Sequence, residues 1–162
     1  MGEAKPIAYS ASEAHEIAKQ AEVELALLEN IRGALQIALD WRTEDRGHVR
    51  KLSTLRFVTR SFERHLTRLR MLAEYGGYMH LITDSKPHLA NEVAQLRKRR
   101  DKLQANLDGI IMRLDHIQPD DGSAFNGLCT ELERFLDDLK LHSHKEMELR
   151  QHSFAQEEGG SG

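Results

Sequence analysis

The stretch LANEVAQLRKRRDKLQANLDGIIMRLDHI, residues 89–117, decides the fold. Its apolar residues fall at Leu89, Val93, Leu96, Leu103, Leu107, Ile110, Leu114 and Ile117, the spacing of one face of an α-helix. Arg100 stands where the missing apolar beat should fall. The last long segment behaves alike: Phe125, Leu128, Leu132, Phe135 and Leu139 form a stripe that continues through His142 and Glu146 to Leu149. Polar side chains at core positions are costly unless they pair or bind something. Arg100, His142 and Glu146 are therefore the first candidates for a functional site.

Working outward, two earlier segments carry the same period. One runs through Ala21, Leu25, Leu28, Ile31, Leu35 and Leu39, the other through Leu52, Leu55, Phe57, Val58, Phe62, Leu66, Leu69 and Leu72. Three breaks separate the four segments: Thr43–Gly47, Thr83–Lys86 before Pro87, and Pro119–Ser123. Asp84 or Ser85 is expected to cap the helix that Pro87 opens, and Ser123 the last one. The adjacent Gly76 and Gly77 weaken the second helix by roughly 2 kcal/mol relative to alanine, and a kink or unravelling is expected there. Four amphipathic helices of matched length predict an all-α, antiparallel, up-down-up-down four-helix bundle. It forms one domain over 11–155, with 1–10 and 156–162 as flexible tails and the closing Gly-Gly-Ser-Gly reading as a linker.

Composition narrows the function classes. Charged residues make up 30% and aromatics 6%, with a formal net charge of −3, too weak a field to point to nucleic acid. The basic run Arg97–Lys102, with Arg64, Arg68 and Arg70, lacks interleaved aromatics and reads as solvated surface. No apolar run reaches membrane-spanning length, and the start MGEAKPIAYS lacks the pattern of a secretion signal. A single Cys129 fits a reducing compartment, so a cytoplasmic location without a membrane partner is expected. No nucleophile–base arrangement or phosphate loop is visible, and no enzyme activity is expected.

Folding the helices back about turn centres near 120 and 84–85 puts Arg100 within a turn of His142 and of His65, with Glu22, Glu24 and His15 within reach. Arg100, His142, Glu146 and His65 are thus expected to converge. His142 and Glu146 are spaced i, i+4, which aims both side chains the same way, as two ligands on one helix are. His144 and Glu148 repeat that spacing one face over and read as surface. The remaining histidines are scattered and mostly off the stripes.

The run His142-Ser-His-Lys-Glu146-Met-Glu-Leu149, with Arg-Gln-His-Ser-Phe154 after it, resembles the last helix of the hemerythrin-like (HHE cation-binding) family. Leu96-Arg-Lys-Arg-Arg100-Asp-Lys-Leu103 is similar to that family's third-helix pattern, and Leu69-Arg-Met-Leu-Ala73-Glu74-Tyr-Gly-Gly-Tyr-Met79 to its second. The resemblance covers roughly 20–155. It implies a bundle in which a His and an acid four residues later ligate a di-iron centre. The chain departs from it at the ligands: Arg100 replaces a third-helix His, and Leu69 and Ala73 stand at second-helix ligand positions. Only His142 and Glu146 carry over cleanly.

Two readings follow. In the first, the chain is a non-catalytic binding, sensing or regulatory module without a cofactor. A buried ion pair among Arg100, Glu146 and His142 then stands where the metal stood, and the partner is an unidentified protein or small ligand. In the second, a rearranged set of His15, His65, Glu74, His142 and Glu146 binds iron, as a di-iron pair or a single divalent metal, for oxygen, nitric oxide or redox stress. A third arrangement of Arg100 alone buries its stem and sends its charged head to water.

Overall fold

The computed structural model describes residues 11–42, 48–74 and 78–158. All of its regular structure is helical: α1 Ala11–Asp40, α2 His48–Glu74, α3 Tyr78–Ser85, a 3-10 turn Pro87–Leu89, α4 Ala90–His116 and α5 Gly122–Glu158. The chain is all-α, and no strand occurs among the described residues. The break expected at Thr43–Gly47 and the glycine pair Gly76-Gly77 lie outside the described residues, as do 1–10 and 159–162. Where four helices were expected there are five, because α2 ends at Glu74 and α3 begins at Tyr78, either side of the glycines. Helix α5 continues to Glu158, beyond the residue 156 at which a tail was expected.

The core is made of the stripes read from the sequence. Leu28, Leu35, Leu52, Leu55, Phe62, Leu107, Ile110, Leu114, Leu132 and Phe135 are all buried. Phe62 of α2 meets Phe135 of α5 edge to face, with ring centroids 6.0 Å apart, so these two helices share the middle of the core. Phe57 is the exception. It was expected in the core and is 72% exposed, because Leu55, Thr59 and Phe62 already occupy the inward positions of that part of α2.

Cross-helix pairs fix direction and register. Lys51 donates to the carbonyls of Leu39 and Trp41 at one end of α1, while His65 and Arg68 meet Glu24 further back, so α1 and α2 are antiparallel. Arg60–Asp115, Arg70–Asp101 and Arg97–Glu74 make α2 and α4 antiparallel, and Arg113–Glu131 and Arg100–Glu146 do the same for α4 and α5. Contacts between α1 and α5 also occur.

The helix ends show how these directions are held. The last carbonyls of a helix lack intrahelical donors and carry partial negative charge. Two cations of α2 fill that need for both neighbours: Lys51 at the end of α1, and Arg56 at the end of α4, where its Nε is 2.6 Å from the Leu114 carbonyl and its Nη2 is 3.3 Å from that of Ile117. The caps expected at helix starts are different ones. Helix α3 runs through Asp84 and Ser85, the residue before the Pro87 turn is Lys86 without a side-chain cap, and Asp121 rather than Ser123 accepts the Ala124 amide at 3.1 Å.

Truncation separates core from surface. Phe135→Ala is expected to cost about 3–5 kcal/mol in urea unfolding, whereas Phe57→Ala should stay within about 0.5 kcal/mol despite carrying the same ring.

Candidate functional site

One polar network enters the interior from the α2–α4 edge. Arg97 Nε donates to Glu74 Oε1 at 2.8 Å, and Arg100 Nη1 lies 3.5 Å from the same oxygen. Arg100 Nη2 donates to Glu146 Oε1 at 2.8 Å. Glu146 Oε2 then lies 3.3 Å from His142 Nε2. Arg97 and Glu74 are half-buried, while Arg100, Glu146 and His142 are each at most 6% exposed. Among the described residues the network joins three helices and sets two guanidinium groups against two carboxylates.

The local reasons are plain. Arg97 and Arg100 lie three residues apart on α4, so both reach the same side of α2. Arg100 occupies an inward position between Leu96 and Leu103, which leaves its head no short route to water. Its planar fork instead spans carboxylates from two helices. His142 and Glu146 occupy successive inward turns of α5. Both His142 ring nitrogens are buried without a hydrogen bond, because the approach to Glu146 has ion-pair distance but not hydrogen-bond geometry. A buried imidazole left in that state costs roughly 1–3 kcal/mol.

His142 also lines a cleft of about 270 Å³ between α4 and α5, rimmed by Arg99, Lys102, Lys145 and Asp138. Arg99, Lys102 and Lys145 make no ion pair with a carboxylate among the described residues.

A second, separate polar pair joins α1 to α2. His65 Nδ1 is 2.9 Å from Glu24 Oε2, and Arg68 Nε is 3.3 Å from Glu24 Oε1. His65 is nine residues from Glu74, about 13 Å of helix, so it does not join Arg100 as expected. His15 is exposed on α1 and joins neither group. Of the five residues considered as metal ligands, Glu74, Glu146 and His142 gather around Arg100, while His65 and His15 lie elsewhere. No cluster of three or more His, Cys, Asp or Glu side chains placed to hold a metal occurs among the described residues.

Two members have partners that the sequence does not reveal. Glu24, expected within reach of Arg100, is buried at the α1 stripe between Ala21 and Leu28 and instead meets His65 and Arg68. Arg97 sits beside the stripe, and only the three-dimensional register reveals its link to Glu74. Elsewhere Arg113 and Glu131 form a two-pronged exposed pair: the hydrogen bond holds the carboxyl below its usual range and raises the guanidinium. Burial pushes the Cys129 thiol up from its ordinary value.

No family model matches this chain, and neither a curated protein nor a solved structure does. No helix among the described residues is long and apolar enough to cross a membrane.

Breaking the pair should expose its energetics. Glu146→Ala is expected to lower stability by about 3–5 kcal/mol, because it takes from the buried Arg100 and His142 the carboxylate they share. Glu131→Ala removes an exposed pair and should cost no more than about 1 kcal/mol in the same denaturant titration.

Proposed function

We propose that this chain is a non-catalytic binding or sensing module. It is a four-helix bundle of hemerythrin type, α1, α2, α4 and α5 running up, down, up and down, in which an internal ion-pair network takes the place of a metal centre. The observation that carries this reading is the position of Arg100. Its guanidinium lies between Glu74 and Glu146, the two carboxylates that a cation would otherwise share. A permanently protonated group there supplies the positive charge those carboxylates need and repels a second cation. Among the described residues His142 is the one imidazole in the group, while His65 is held by Glu24. This donor set does not fit a di-iron centre.

The antiparallel pairings and the α1–α5 contact support the bundle arrangement. The hemerythrin-type assignment rests on the His142–Glu146 run and on the second- and third-helix patterns. Elemental analysis after expression in iron-replete medium tests the reading: the protein should carry no stoichiometric iron. Near-stoichiometric iron with the absorption of an oxo-bridged pair would restore the metal-binding reading for oxygen, nitric oxide or redox stress.

The cleft beside His142 indicates what such a module binds. Three cations without carboxylate partners among the described residues face one carboxylate, Asp138, and the buried His142 is among the lining residues. That chemistry selects a small anion, held by the cations and reported to the helix core through His142. Titration with inorganic phosphate should shift the His142 imidazole resonances saturably, and the Lys145→Gln variant should weaken the effect. Unchanged His142 signals during that titration would remove the anion from the account.

A further inference from the structure

Helix α1 carries two apolar stripes, and among the described residues only one is buried against the rest of the chain. The inward stripe contains Ala21, Leu28, Leu35 and Leu39. The second runs Val23, Leu27, Asn30, Ala34, Ile37 and Trp41, in alternating steps of four and three residues. It lies roughly 145° around the helix from the first at 100° per residue. It is exposed: Val23 61%, Leu27 41%, Ile37 74% and Trp41 45%, with Asn30 and Ala34 also open to solvent. The alternation is that of the seam of a two-stranded coiled coil, sustained over about 27 Å of helix.

The geometry points to a second copy of this chain as the occupant, with the two α1 helices packed in parallel about a two-fold axis along the bundle. The argument for a second copy is charge complementarity. On one flank of the stripe, α1 presents Glu22 and Asp40, eighteen residues apart and therefore five full turns apart on one face. On the other flank, α2 presents Arg68 and Arg50, again eighteen residues apart on one face. The side facing α1 is marked by the approach of Arg68 to Glu24. The antiparallel register of α1 and α2 puts Arg68 level with Glu22 and Arg50 level with Asp40. All four side chains are exposed.

A two-fold axis parallel to the helices brings opposite flanks together, so Glu22 meets Arg68 of the second copy and Asp40 meets its Arg50. The same operation places Asn30 against its own counterpart. A lone polar residue in an apolar seam fixes register in this way. Gly33 flanks the seam, and a Cβ there would meet nothing within 4 Å of its own chain, so the position leaves room for close helix approach. An antiparallel pair would set acidic flank against acidic flank and Asn30 against Ala34, which leaves the amide without a partner.

Sedimentation of the full chain from about 1 to 100 μM, which spans micromolar dissociation constants, should give a species of twice 18.5 kDa. The doubly substituted Leu27→Glu/Ile37→Glu chain should sediment as a single chain while keeping its helical circular dichroism, since both positions are exposed. Met112→Glu, on an exposed site of α4, should leave the dimer intact. Direction is read by Val23→Cys in a Cys129→Ala background: oxidation should join two chains in the parallel pair, whereas an antiparallel pair would hold the two thiols about 27 Å apart. A single-chain mass throughout the range, a dimer indifferent to the double substitution, or a dimer that does not cross-link through position 23 would each overturn the proposal.

Discussion

The interaction on which the interior depends is the hydrogen-bonded contact between Arg100 of α4 and Glu146 of α5. Both groups are buried, so each depends on the charged and polar neighbours around it: Arg100 meets Glu146 and Glu74, and Glu146 meets Arg100 and His142. That mutual dependence ties the register of α4 to that of α5, because a slip of either helix strands a full charge in an apolar core. Glu74 extends the constraint to α2 through its shared contact with Arg97 and Arg100. Apolar stripes slide past one another at modest cost. A buried ion pair of this geometry does not, and it makes one alignment of three helices preferable to its neighbours.

Helix α2 carries the complementary role at the surface. Its Lys51 and Arg56 close the carbonyl ends of α1 and α4, and its Glu74 holds the outer end of the buried network. Its His65 and Arg68 hold Glu24. The helix thus contributes to every polar contact that orients α1 and α4 against it. The aromatic contact between Phe62 and Phe135 couples it to α5 through the core. Charges that read as a solvated face along the sequence are, in Arg68, Arg70 and Arg97, fasteners between helices.

The helices, their inward stripes and the buried trio Arg100, His142 and Glu146 were legible because each departs from, or obeys, a 3.6-residue period. What failed did so for a physical reason. Cross-helix pairs place the α4–α5 turn centre near 122–123 and that of α2–α4 near 86–87, a few residues beyond the estimates. The α3 segment and the Pro87 turn lengthen the second connection. That shift is enough to exchange His65 for Glu74 beside Arg100. Phe57 looked like core because hydrophobicity alone does not say which of two adjacent apolar residues faces inward. The caps were misplaced because Asp121 and Ser123 have equal chemistry for the task, and helix starts are set to within a residue or two by packing.

Arg100 and Glu146 constitute one buried, mutually dependent unit. That dependence is tested most directly by a double-mutant cycle in chemical denaturation, with Arg100→Leu, Glu146→Leu and the two together. If the pair is buried and mutually dependent, each single substitution should destabilise by about 3–5 kcal/mol, while the double substitution restores most of the loss or exceeds the parent. Single effects that simply add in the double substitution would contradict it, since independent sites add and a buried pair does not.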